Sequence, residues 1–85
     1  MTESWKKVYF GMGGPLVGDK LVTIKETSLT EDESGKQEII KLPPDTHVKF
    51  LGNGETITKN GLDAPMYFIE TEDGMSGFCF AGDLE

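Results

Sequence analysis

Met66-Tyr67-Phe68-Ile69-Glu70-Thr71-Glu72-Asp73-Gly74-Met75-Ser76-Gly77-Phe78-Cys79-Phe80 is the stretch that decides the fold. Two aromatic-rich runs flank Asp73-Gly74, a dipeptide that tolerates the two positive φ angles of a type I′ turn. Residues 66–71 are therefore expected to pair with residues 77–80 as an antiparallel hairpin. Neighbouring side chains of a strand point to opposite faces, so Tyr67 and Ile69 share one face and Met66 and Phe68 the other. Across the turn, Cys79 lies on the opposite face from Phe78 and Phe80. Both sides of the ribbon thus carry large apolar groups, whereas a small barrel can bury only one.

Upstream, the only apolar repeats are short and of period two: residues 5–10, 21–25, 38–42 and 47–51. Each is cut by Gly, Pro, Asn or Asp, and helix is nearly excluded. Pro43-Pro44 forces a turn after residue 42, because neither proline donates a backbone hydrogen bond and each restricts the residue before it. Residues 47–51 then resume with Val48 and Phe50 on one face and His47 and Lys49 on the other, as in a half-buried antiparallel strand. Asn53-Gly54 and Asn60-Gly61 are further turn signals bracketing Glu55-Thr56-Ile57-Thr58, which reads as either a short strand or an ordered loop. Five or six short antiparallel strands in about 65 residues are too few for a two-layer sandwich, but they can curl into a small all-β barrel with little exposed edge.

Eighty-five residues suffice for one small domain. Eight lysines and no arginine stand against 15 Asp plus Glu, a net charge of −7. That balance repels phosphate backbones and anionic lipid and argues against nucleic-acid and membrane partners. One cysteine and one histidine furnish neither an internal disulfide nor a Cys/His zinc site. No cofactor is expected, and nothing in the first ten residues has the pattern of an export signal.

Taken in order, Leu21-Val22-Thr23-Ile24, Ser28-Leu29, Ile39-Ile40-Lys41-Leu42-Pro43-Pro44-Asp45-Thr46, Val48-Lys49-Phe50-Leu51, Met66-Tyr67-Phe68-Ile69, Asp73-Gly74, Gly77-Phe78-Cys79 and Leu84 resemble the bacterial Src-homology-3-like (SH3b) domains over roughly residues 20–84. Met66 stands where that family usually has Trp, and Phe78 replaces the Trp after the hairpin glycine. The resemblance implies an SH3-like barrel over residues 20–85, with residues 1–19 as an extension packing on it or the remnant of a preceding repeat. It also implies a non-catalytic binding or targeting module of a larger bacterial envelope or secreted protein, recognising a peptide, protein or peptidoglycan surface. A monomer is expected. The alternative is a structural spacer that binds nothing itself.

By analogy with the family, Ile69 and Cys79 point inward, leaving Met66, Phe68, Phe78 and Phe80 outward as a patch of roughly a few hundred Å², a size that usually marks an interaction site. A ligand, a second protomer or the chain's own Trp5, Val8 and Phe10 are the candidates to cover it. The tethered segment is favoured because it loses less freedom on docking. Glu31, Asp32 and Glu33 sit where the family's first long loop would be and read either as a rim for a cationic peptide or as a solvated loop. Glu70-Thr71-Glu72-Asp73-Gly74 fails as a calcium loop, with glycine at the fifth position and Ala81 at the twelfth. Gly11-Met12-Gly13-Gly14-Pro15 lacks the Lys-Ser/Thr ending of a phosphate cradle. His47 has no partner marked by spacing, and Cys79 lies in an apolar strand, so neither residue indicates an enzyme.

Overall fold

A computed structural model describes residues 15–85. The chain runs β1 (Lys20–Val22), β2 (Thr27–Thr30), β3 (Glu38–Leu42), β4 (His47–Lys59), β5 (Leu62–Thr71) and β6 (Ser76–Phe80), then a 3-10 turn at Ala81–Asp83. The strands form one antiparallel sheet of order β1-β4-β5-β6-β2-β3, curled into a half-barrel compatible with a small SH3-like barrel. On the far side of β1, Val22 exchanges two backbone hydrogen bonds with Glu85, and Thr23 bridges Leu84. The C-terminal residues thus continue the sheet past β1. β3 is the other margin, and its Ile39 and Ile40 are exposed among the described residues. The expected cover from Trp5, Val8 and Phe10 lies outside the described residues.

The core fills the concave side. Leu21, Leu29, Leu42, Val48, Phe50, Tyr67, Ile69, Cys79, Ala81 and Leu84 form one buried cluster, with Phe50 and Tyr67 packed edge to face at 4.8 Å between ring centroids. Alternation produces this set: Val48 and Phe50 enter from β4, Tyr67 and Ile69 from β5, and Cys79 from β6. Burying each large member stabilises the fold by roughly 1.5–3 kcal/mol. Thr23 anchors the Pro43–Thr46 turn beneath this core. Its hydroxyl donates to the Pro43 carbonyl at 2.7 Å and accepts from the Thr46 amide at 2.8 Å. That capture ends β1 at Val22, short of the 21–25 run.

Two features depart from the expected turns. β4 and β5 are long, at 13 and 10 residues, because residues 55–58 are strand and not loop. Asn60 and Gly61 have φ of 54° and 79°, and Lys59 pairs with Leu62, so the two-residue primed turn is Asn-Gly here. At the other hairpin only Gly74 has positive φ, 89°, and Gly74 donates to the Thr71 carbonyl at 3.0 Å. Asp73-Gly74 therefore closes a longer loop in which a turn over residues 71–74 ends at a left-handed glycine, in place of the expected type I′ turn.

Candidate binding surface

β5 and β6 pair in the register Met66 with Phe80 and Phe68 with Phe78, which brings all four residues of the expected outward patch together. None of the four belongs to the concave core cluster. Met66 and Phe80 nevertheless retain only 2% and 4% exposure. Phe68 and Phe78 are half-buried, with ring centroids 5.0 Å apart. The outward face is thus partly covered, and by a segment that the sequence reading did not name. The far half of the β4–β5 hairpin folds back across this face and covers half of it.

The physical cause is a break in the β4–β5 ladder. Its register shifts between Phe50 and Gly52 and again between Asn53 and Thr56. Extra residues in one strand bend it and sharpen its twist. Gly54 permits the close approach: a Cβ there would sit 3.0 Å from the Met66 carbonyl oxygen and 3.0 Å from the Phe78 ring. Beyond the break, the arm carries Ile57 toward Met66 and places Lys59 Nζ 5.4 Å from the centre of the Phe80 ring, a cation–π distance.

Two clefts flank the arm. One, of about 130 Å³, is lined by Thr27, Ser28, Thr30, Gly35, Ile57, Lys59, Met66 and Phe80. The other, of about 320 Å³, is more apolar and is lined by Leu62, Asp63, Ala64, Pro65, Ala81, Gly82 and Leu84. Leu62 stands at the mouth of the second, 51% exposed.

Asp83 fastens the arm to the 3-10 turn. It is buried, accepts from the Thr27 hydroxyl at 2.6 Å and from Lys59 Nζ at 2.7 Å, and has Lys25 Nζ at 3.6 Å. Burial works to raise its pKa, but the Lys59 ammonium and the Thr27 hydroxyl outweigh that and leave it below the ordinary carboxylate value. Cys79 lies against this group, its thiol donating to the Thr27 hydroxyl at 3.7 Å. Burial, with a contribution from the Asp83 charge, pushes the thiol up to about 11. A thiol so rarely ionised is a poor nucleophile.

The three acidic loop residues play different parts. The Asp32 carboxylate turns into its own loop, accepting from the Lys36 amide at 3.0 Å, the Gln37 amide at 2.7 Å and the Ser34 hydroxyl. The Ser34 bond above all, then the Gln37 amide, hold its pKa well below the usual range. Asp32 therefore shapes the loop, while Glu31 and Glu33 stay exposed, and Gly35 of the same loop lines the smaller cleft. His47 is exposed on the far side of β4, in a groove of about 270 Å³ with Lys20, Lys49, Glu70 and Glu72.

Sequence reasoning did not single out Ile57, Lys59, Leu62 or Asp83. Asn60-Gly61 was the available signal: read as a two-residue hairpin, it makes Lys59 and Leu62 cross-strand partners and carries both strands past the glycines. That the arm folds back is a property of the ladder break, which no motif marks. A scan with protein-family models, a comparison with curated proteins and a search of solved structures each return no match.

Proposed function

We propose that this chain is a non-catalytic binding module of the SH3-like kind, part of a larger bacterial protein, that receives a peptide segment of apolar side chains and positive charge. The observation that carries the reading is the apolar cleft between the β5 start and the 3-10 turn, lined by Leu62, Ala64, Pro65, Ala81, Gly82 and Leu84. Its volume of about 320 Å³ is at the lower end of small-molecule sites and fits one or two side chains. The charge preference follows from the net −7 and from exposed Glu31 and Glu33, which disfavour anionic partners. The exposed His47 and the buried, scarcely ionised Cys79 thiol support the non-catalytic part.

A titration followed by amide chemical shifts tests this, with an extended Lys/Val/Leu peptide and a peptidoglycan stem peptide as separate probes. The expected result is saturable shifts at Leu62, Ala64, Gly82 and Leu84 with one of them, and none with a Glu-rich peptide. Absence of shifts with every probe at millimolar concentration, or shifts confined to other faces, would remove the reading. The second reading, a spacer that binds nothing, is favoured by one fact: the chain's own arm already covers Met66 and Phe80.

A further inference from the structure

The first residues of β5 have a strand neighbour on one side only. Residues 62–65 pair with residues 59–56 of β4, whereas the pairing with β6 begins at Met66 with Phe80. After Phe80 the chain leaves that line. It turns through Ala81–Asp83 and crosses to β1, where the Ile24 amide donates to the Asp83 carbonyl at 2.9 Å and Glu85 exchanges hydrogen bonds with Val22. The larger cleft is the space this departure leaves, with residues 62–65 along one wall and Ala81, Gly82 and Leu84 along the other.

Which backbone groups face the cleft follows from both ends of β5. The pair flanking a two-residue turn exchanges its hydrogen bonds, and such pairs alternate along an antiparallel ladder. With Lys59 paired to Leu62, the residues Leu62 and Ala64 bond toward β4, and Asp63 and Pro65 turn their backbone groups the other way. At the far end Thr71, in step with Asp63 and Pro65, donates its amide to the Met75 carbonyl on the β6 side at 2.8 Å. The two ends agree. Among the described residues no backbone partner meets Asp63 or Pro65 from the cleft. Proline suits such an open edge because it has no N–H to leave unpaired. The edge therefore offers the Asp63 N–H, the Asp63 carbonyl and the Pro65 carbonyl.

The side chains add a preference. Asp63 is the one ionisable group lining the cleft; it is exposed, accepts from the Thr58 hydroxyl, and pairs with no lysine among the described residues. Ala64, on the opposite face of the strand, packs against the core cluster.

We propose that the cleft takes an extended peptide by strand addition, antiparallel to β5 in the line that β6 vacates, with a lysine opposite Asp63 and an apolar residue just before it, opposite Ala64. This rests on the binding reading above and supplies its mode and register. The lysine's backbone exchanges two hydrogen bonds with Asp63, and the residue two before it donates to the Pro65 carbonyl. Main-chain bonds supply the affinity, while the ammonium facing the Asp63 carboxylate and the apolar side chain beside Ala64 set the specificity.

Amide exchange and chemical shifts with a capped Val-Leu-Lys-Val peptide test this on the full chain. Without peptide, the Asp63 amide is expected to exchange far faster than those of Leu62 and Ala64. An Asp63 amide as protected as these would overturn the proposal, because the edge would already be filled by another segment of the chain or by a second copy. With peptide, Asp63 exchange should slow in proportion to the fraction bound. Methylating the backbone nitrogen of the peptide's lysine should weaken binding about tenfold, whereas methylating that of the preceding leucine, whose N–H points away from β5, should change it little. Shifts at Ala64, Gly82 and Leu84 with Asp63 unprotected, or with both methylated peptides binding equally, overturn strand addition and leave the binding reading standing. No shifts with any peptide, beside a fast Asp63 amide, remove both.

Discussion

Gly77 shows how much a single position can hold. β6 passes so close to β2 that a Cβ on Gly77 would lie 2.6 Å from the Thr30 carbonyl oxygen and 3.0 Å from Leu29 Cγ. The first of these is backbone and cannot swing aside. Gly77→Ala should therefore cost about 1–3 kcal/mol as overpacking, read as a lower urea midpoint with an unchanged m-value. The glycine was legible in the sequence as part of a Gly-aromatic-Cys run, but the reason for it was not, because the approach of β2 is a long-range event. Asp83 is similar. Nothing local distinguishes it from the other 14 acidic residues, and only the fold surrounds it with Thr27, Lys59 and Lys25.

At the scale of elements, the two hairpins divide the turn chemistry unequally. Asn60 and Gly61 both occupy the left-handed region, so the β4–β5 arm depends on this pair more than the β5–β6 hairpin depends on Asp73. Replacing Gly61 by Ala places a Cβ at φ 79° with open space around it, so the penalty is backbone strain alone. It is expected to cost about 1–2 kcal/mol and to fall on the arm. Urea unfolding and amide exchange check this: the midpoint should fall, and residues 56–65 should exchange with a weaker dependence on denaturant than residues 67–70. The same denaturant dependence in both would mean that the arm is not a separate element. The strand pairing of residues 66–71 with 77–80 was readable from period-two alternation and a turn signal. The length of β4 was not, since three glycine or asparagine positions within residues 52–54 read as a break when they mark a bend in a continuing strand.

For the whole molecule, stability should fall in acid. Asp83, Asp32 and Glu38 are all held below their ordinary values in the folded state. For Asp83 the Lys59 and Thr27 bonds outweigh burial. For Asp32 the Ser34 bond leads, and for Glu38 the Ser28 hydroxyl followed by Lys41. A carboxyl whose folded pKa is depressed contributes stability above its unfolded value, and that contribution is lost as pH falls through the folded one. The urea midpoint is therefore expected to fall as pH drops from about 4 to about 2, where the unfolded chain binds protons the folded one refuses. Asp83→Asn should lower the neutral-pH midpoint and make the acid fall shallower. An acid limb identical to wild type would show that Asp83 does not carry it. Lys41 is raised by Glu38, so its contribution is complete below its ordinary value and disappears only in strong alkali.

Alternation, turn residues and composition determined by themselves that this chain is an antiparallel all-β domain. They also determined that residues 66–71 pair with 77–80, that Ile69 lies opposite Met66 and Phe68 along its strand, and that Cys79 lies opposite Phe78 and Phe80 along its own. Those properties are local, because side-chain direction in a strand follows from backbone geometry one residue at a time. What covers the second apolar face was decided by the tertiary structure alone. The bend at residues 52–56 folds the arm onto Met66 and Phe80, and Lys59 reaches Asp83 across 24 positions of sequence. The energies that select this closure arise between segments distant in the chain, and no window of sequence contains both partners.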